Sequence, residues 1–354
     1  MIFRNNNKIA NIYRGTLKIS NVYRGGILVY TGEKSYDCLA FDALEPSTIQ
    51  YVPSTVATAQ YSYDTVNWET ADNVTLNLNT GDKVYFKGTI TGEQSYSNHS
   101  EFKMTGKVSA SGSIMSLQAG NPNDKSLNYD YEFYFLFNNC KSITTAPELP
   151  ATTLTGYCYA NMFNGCSSLV NAPELPATTL ANGCYNSMFN FCTSLTTAPA
   201  LPATTLSEGC YEYMFSNCRK LVTALELPAT TLANECYSNM FNSCTSLTTA
   251  PTVLPATTLA NSCYFNMFKG CRSLATAPEL PATTLANNCY QQMFYGCSKL
   301  NYIKALFTTT PSSKYTYYWV QGVASTGTFV KNKDATWDVT GNDGIPEGWT
   351  VETA

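Results

Sequence analysis

Fourteen cysteines, one histidine and twenty-five carboxylates are the groups with which this chain could do chemistry. The cysteines are ordered. In a series of similar copies two of them stand eight residues apart, as in Cys158 and Cys166, Cys184 and Cys192, and on to Cys289 and Cys297. Zinc sites draw on cysteine and histidine pairs two to a few residues apart. The eight-residue spacing therefore fails the metal reading, and His99 lies outside the series. With helical residues between them, such a pair would be about 12 Å apart, against a limit near 7 Å for a disulfide. The thiols are expected to be reduced, buried and packed as small apolar side chains in two columns, which suits folding in a reducing cytoplasm.

Catalysis finds little to work with. A single histidine removes most Ser-His and Cys-His schemes, and no Gly-x-Ser-x-Gly, His-Glu-x-x-His or phosphate-cradling glycine loop is present. Glu148, Glu174, Glu226 and Glu279 recur at one position of the copies. A column of equivalent carboxylates reads as a solvated face, not as the spaced acid and base of a glycan-cleaving site. The chain is expected to be no enzyme and to need no cofactor and no metal.

What positions the cysteines is an internal repeat, and a fixed period dictates architecture. Leu-Pro-Ala-Thr-Thr-Leu begins at Leu149, Leu175, Leu201, Leu227, Leu254 and Leu280, in steps of 26, 26, 26, 27 and 26. Each copy runs on into Cys-Tyr, Met-Phe, Cys and Leu, as in Cys184-Tyr185, Met188-Phe189, Cys192 and Leu195. A partial copy, Phe137 to Ile143, precedes the first, and Leu300 to Ile303 marks the far end. Leu180, Cys184, Met188 and Cys192 are four apart, the spacing of an inward helical stripe, with Thr178 or Thr179 as N-cap. Ser194 to Ala198 is short, Thr-rich and stopped by Pro199, which predicts a brief strand. One such unit cannot bury its apolar face, so the copies must stack.

The run Met-Phe-x-x-Cys-x-Ser-Leu-x-x-Ala-Pro-x-Leu-Pro resembles the BspA-type bacterial leucine-rich repeats, over about residues 130 to 306. Units here are longer, with Ala where the family prefers Ile. The resemblance implies a leucine-rich-repeat solenoid, and similar proteins are mostly bacterial surface adhesins.

The flanks differ in character. Residues 1–34 repeat Lys8-Ile9-Ala10-Asn11-Ile12-Tyr13-Arg14-Gly15 as Lys18-Ile19-Ser20-Asn21-Val22-Tyr23-Arg24-Gly25. They carry Arg4, Lys8, Arg14, Lys18, Arg24 and Lys34 against Glu33 alone, within a chain of net charge −4. Two short strands with glycine turns hold too little apolar surface to stand alone. They read as an anchoring arm ordered by a partner or by sister chains, with Lys8, Ile9, Tyr13, Arg14, Lys18, Ile19, Tyr23 and Arg24 as anchoring residues; the alternative is that they add strands to the next domain. Residues 35–128 alternate in β fashion, with Val74, Leu76 and Leu78 at period two, then a turn at Asn79 to Asp82, then Val84 and Phe86. They predict an immunoglobulin-like β domain. Residues 129–306 are the solenoid. In residues 307–354, Trp319, Trp337 and Trp349 near Gly and Pro turns predict a β-type cap over its exposed end. The expected class is multidomain α+β.

Scaffold positions repeat, while Tyr157, Phe191, Glu208, Glu212, Tyr213, Arg219, Lys220, Phe265, Lys269, Arg272 and Tyr295 differ from copy to copy. Exposed aromatic and arginine side chains anchor recognition surfaces, so this set is the expected binding face. No signal peptide and no apolar stretch of membrane-spanning length is visible. The chain is therefore expected to stay in the cytoplasm that made it, unless it leaves in a larger assembly, with neither membrane insertion nor nucleic acid as partner. A basic arm, a β domain, a repeat array and a Trp-rich cap together resemble a bacteriophage fibre or appendage protein, of a virus of gut Bacteroidetes-type bacteria. Expected partners are other virion proteins at the arm, a host surface protein or glycan at the solenoid, and further copies of the chain. The alternative is a bacterial cell-surface adhesin.

Overall fold

The computed structural model describes residues 37–354 in full and, of the first 36, the backbone of four short strands. The chain forms two compact units, Met1–Asp37 and Cys38–Ala354. In the first, β1 (Ile12–Arg14) and β2 (Leu17–Ile19) make one antiparallel hairpin. Its sequence copy, β3 (Asn21–Arg24) with β4 (Ile27–Thr31), makes another, bulged between Val22 and Tyr23. The duplication thus yields four strands, where two were expected. Tyr13, Arg14, Lys18, Ile19, Tyr23 and Arg24 lie on them, while Lys8 and Ile9 fall outside the described residues.

The second unit opens with two antiparallel sheets. One is ordered β12 (Val108–Ser111), β5 (Leu39–Ala43), β10 (Lys83–Ile90), β7 (Ala57–Ser62), β8 (Glu69–Thr70). The other is ordered β11 (Glu101–Thr105), β6 (Ser47–Val52), β9 (Thr75–Leu78). Period-two burial in β6, Ser47 in, Thr48 out, Ile49 in, follows from alternation across a strand. Phe41, Phe86 and Phe102 fill the core edge to face, with centroids 5.1–5.6 Å apart. A single turn of helix, α1 (Ser116–Ala119), lies against β10, where Ser116 Oγ donates to the Phe86 carbonyl and accepts from the Leu39 N–H. The core runs without a break into the repeats. Phe102 stacks on Phe137 at 5.3 Å, and the Cys140 thiol donates to the Phe102 carbonyl.

The repeats overturn the helical expectation, and with it the α half of the α+β class. Among the described residues the regular elements are fifteen strands in open sheets and the one four-residue helix. The stretch from Gly183 to Cys192 is a ribbon of consecutive turns. Met188 N–H bonds the Tyr185 carbonyl and Cys192 N–H the Phe189 carbonyl, three residues back. The alternate N–H groups, of Gly183, Tyr185, Ser187, Phe189 and Phe191, reach across to the next copy, to carbonyls of Glu208, Cys210, Glu212, Met214 and Ser216 at 2.7–3.0 Å. Gly183, Ser187 and Phe191 hold the left-handed conformation that lets every second N–H turn outward, at φ of 59°, 56° and 59°. An α-helix has 3.6 residues per turn and drifts off a strict four-residue stripe. The ribbon keeps Cys184, Met188 and Cys192 in line without drift, and all three are buried.

The expected strand over Ser194 to Ala198 shrinks to a single parallel bridge, Asn171 to Thr197. Pro199 has no N–H with which to continue it. Thr179, expected as a cap, bridges Thr153 instead. The one 27-residue step leaves the ribbon in register, because the extra residue lies between Pro251 and Leu254. There the Glu226 carboxylate accepts from the Thr252 N–H and hydroxyl.

Stacked copies turn each repeated aromatic into a ladder. Phe102, Phe137, Phe163, Phe189, Phe215, Phe241, Phe268 and Phe294 form one, with centroids 5.3–5.9 Å apart. Phe133 and Tyr159, Tyr185, Tyr211, Tyr237, Tyr264 and Tyr290 form the other, at 5.7–6.0 Å. Trp319 closes both, 6.1 Å from Phe294 and 6.2 Å from Tyr290, with its indole N–H donated to the Gly344 carbonyl. Beyond it β13 (Tyr302–Ala305), β14 (Thr328–Lys331) and β15 (Thr350–Thr353) form a parallel sheet. Trp337 stacks on Phe307 at 5.1 Å.

At the opposite end of the Tyr ladder sits a fully buried carboxylate. Glu132 accepts backbone N–H bonds from Asn128 and Tyr129 through Oε2, while Oε1 has no partner. Burial raises its pKa to about 7, against those two donors. An acid whose pKa is higher folded than unfolded makes the fold more stable at low pH. That stability is lost as pH rises from about 4.5 to about 7, by on the order of 3 kcal/mol. Glu132→Gln is expected to flatten this slope and to raise the urea midpoint at pH 8, with little change at pH 4.5. An unchanged slope would show that Glu132 is not its source.

Candidate binding surface

The ribbon sets two side chains inward and the next two outward. All the expected recognition residues up to the second cysteine of each copy occupy outward positions. Tyr157, Phe191 and Tyr213 are among the exposed large side chains of the chain. Tyr157 and Tyr213 hold left-handed backbone, and Gly183 follows Tyr157 in the same column. A Cβ on Gly183 would lie 2.2 Å from the Tyr157 ring, so only glycine lets that ring lie down on the next tier.

Four of the expected residues come together. Glu208 and Glu212 lie within electrostatic reach of Tyr157, Glu212 also of Tyr213, and Glu235, absent from the expected set, acts on both rings. Glu208, Glu212 and Glu235 raise the Tyr157 phenol pKa, after burial and the neighbouring Tyr131. Glu212 and Glu235 do the same to Tyr213, after burial. Glu212 is half-buried, accepts from Asn186 Nδ2 at 2.9 Å, and has its pKa pushed up to about 7 by burial and then by Glu235. Among the described residues no cation pairs with these three carboxylates.

Phe265, Lys269 and Tyr295 lie on the same outer side, two and three tiers on. Lys269 Nζ is 2.6 Å from Gln292 Oε1 and 5.1 Å from the Tyr295 ring centroid. Arg219, Lys220 and Arg272 are exposed in the turn after the second cysteine, apart from both groups.

A further aromatic cluster was invisible in the sequence. Tyr96 and His99, from the loop between β10 and β11, pack on Tyr134 and Phe135 with centroids 5.0–6.5 Å apart. Tyr131 joins Tyr134 to Tyr157, stacking on the latter at 5.0 Å. Tyr131, Tyr134 and Phe135 stand just ahead of the partial copy that begins at Phe137. Nothing in the sequence tied the loop to it.

The groups that could react are turned away from solvent. Thirteen cysteines are buried, Cys38 is half-buried, and none forms a disulfide. The second cysteine of each copy donates its S–H to a phenylalanine carbonyl of the preceding tier, as Cys192 to Phe163 at 3.1 Å and Cys218 to Phe189 at 3.2 Å. Burial raises every one of these thirteen thiols, Cys184 and Cys244 to about 12. Thiolates are the reactive form. A disulfide-exchange reagent is expected to titrate at most Cys38 in the native chain and all fourteen thiols in denaturant; rapid native reaction of several would contradict the closed ladders. Among the described residues no group of three or more His, Cys, Asp or Glu is placed to hold a metal ion. No described helix is long and apolar enough to cross a membrane. Of the expected carboxylate column, Glu279 pairs with Lys304 at 3.0 Å and Glu226 holds Thr252.

Comparison with known proteins finds no family model that matches the chain, no curated protein that matches it and no solved structure that matches it.

Proposed function

We propose that the chain is a leucine-rich-type repeat solenoid of the BspA kind that serves as a virion fibre or appendage. In this reading it docks to the particle by its duplicated basic arm and binds a protein or glycan of the host cell surface through the outer side of the turn ribbon. The carrying observation is the division of labour in the ribbon. Inward positions are nearly invariant from copy to copy, while outward ones carry Tyr157, Glu208, Glu212, Tyr213 and Glu235 as one aromatic and anionic patch. Such anchors on a rigid scaffold suit recognition. The order of parts, a docking end, a β unit and a long displayed stack, suits an appendage that assembles as several copies.

The test has two arms. The chain should co-purify with particles, and the purified full chain should label host cells. Tyr157→Ala with Tyr213→Ala should weaken labelling at least about tenfold, at one to a few kcal/mol per anchor. Recovery only from washed bacterial envelopes would instead favour a cell-surface adhesin, the reading supported by the likeness of the repeat motif to adhesin repeats. Undiminished labelling by the double variant would remove the patch from either reading.

A further inference from the structure

The β unit carries a feature that neither the repeats nor the proposed patch uses. On the outer face of the five-stranded sheet an open depression of about 450 Å³ is lined by β7, β8, β10 and the end of α1, within the range of small-molecule sites. Strand register lays its side chains in two rows: Lys87, Gln60 and Thr70 across β10, β7 and β8, and Thr89 beside Thr58. Asp72 closes one side.

A Cβ on Gly88 would stand 2.5 Å from the Thr58 carbonyl oxygen and 3.0 Å from that of Leu117, so no larger residue fits where β10 passes between β7 and α1. Gly120, at φ 69°, ends α1 without a side chain over the opening.

The chemistry of the walls selects a ligand. Thr58, Gln60, Thr70 and Thr89 are exposed, and no group among the described residues hydrogen-bonds their side chains. Asp72 spends Oδ1 on the Ala59 N–H at 2.8 Å and keeps Oδ2. Lys87 rests its ammonium over the Trp68 ring, 4.2 Å from the centroid. One cation and one anion give no net charge to attract an ion, and the scarcity of apolar side chains gives nothing to hold a lipid or an apolar side chain. What remains is a dense set of donors and acceptors. From this we infer that the groove binds a neutral saccharide, its hydroxyls spread over the Thr58–Thr89 and Gln60–Thr70 rows and the Asp72 carboxylate.

Saturation-transfer NMR on the full chain tests this with methyl glycosides of glucose, galactose, mannose and N-acetylglucosamine, and with N-acetylneuraminic acid as the charged comparison. At least one neutral glycoside should receive saturation. Gln60→Ala with Thr89→Ala should weaken it at least about tenfold, and Lys87→Ala, a single change at a half-buried side chain, should alter it measurably. Absence of any neutral signal, a signal from the charged sugar alone, or wild-type binding by both variants would overturn the site. Tyr157→Ala with Tyr213→Ala should leave the saccharide signal intact, so failure of the ribbon as a cell-binding surface and failure of this groove are separable.

Discussion

Phe215→Ala is expected to destabilise the chain by about 3–5 kcal/mol. The ring is fully buried at the middle of its ladder, 5.7 Å from Phe189 and 5.8 Å from Phe241 with planes within 10°. Parallel rings on either side are fixed by inter-tier hydrogen bonds, from Phe189 to Met214 and from Phe215 to Met240, both at 2.9 Å. They cannot slide together to fill the gap, so the cavity term stays large. Stability in a stack is the sum of tier and interface contributions, and a lesion at Phe215 weakens the interfaces on both sides. Urea unfolding should show the loss, and hydrogen exchange should show it concentrated in tiers adjoining residues 210–218. Tyr211→Phe in the same tier should act in the opposite direction. The Tyr211 hydroxyl is buried without a partner, and an unsatisfied buried hydroxyl costs about 1–3 kcal/mol. A loss below about 1 kcal/mol for Phe215→Ala would mean that the ladder rings do not bear on one another.

How much of this was legible follows from what periodicity encodes. Side chains that repeat at Cys184, Tyr185, Met188, Phe189 and Cys192 announce which atoms face inward, and all five are buried. They do not announce the backbone, because a four-residue stripe is close enough to 3.6 to pass for a helix over two turns. The signal that separates the two lies in the residues between. The left-handed positions 157, 161, 165, 183, 187, 191, 209, 213, 217, 235, 239 and 243 hold Gly, Asn, Ser, Tyr, Phe or Glu and never Val, Ile or Thr. β-branched side chains are the ones that conformation tolerates least. The binding patch was half legible for a related reason. Tyr157, Glu208, Glu212 and Tyr213 were visible as departures from the repeat. Their meeting with Glu235 depends on Gly183 and Gly209 leaving the column bare between Tyr157 and Glu235, which needs the tier register to be known. The groove on the sheet was out of reach, since it depends on β7, β10 and α1 converging from three separate stretches of chain.

The ribbon can be told from a helix by a pair of substitutions. Ser187→Pro is expected to cost at least about 3 kcal/mol. Its φ would have to leave +56° for the fixed value near −65°, and the bond from the Ser187 N–H to the Glu212 carbonyl, 2.7 Å long, would vanish between two tiers. A helix interior would suffer comparably, so this loss alone does not decide. Glu235→Gly does. Glu235 is exposed and its φ is +58°. A side chain in the left-handed region costs roughly 1–2 kcal/mol that glycine avoids, so the ribbon predicts a net gain of up to about 1 kcal/mol. In a helix the same change would cost about 1 kcal/mol. The two readings thus differ in sign at one exposed position, and urea unfolding of Glu235→Gly resolves them. A destabilised variant would restore the helical repeat, and with it a surface on which Tyr157 and Tyr213 no longer stand where the proposed patch requires.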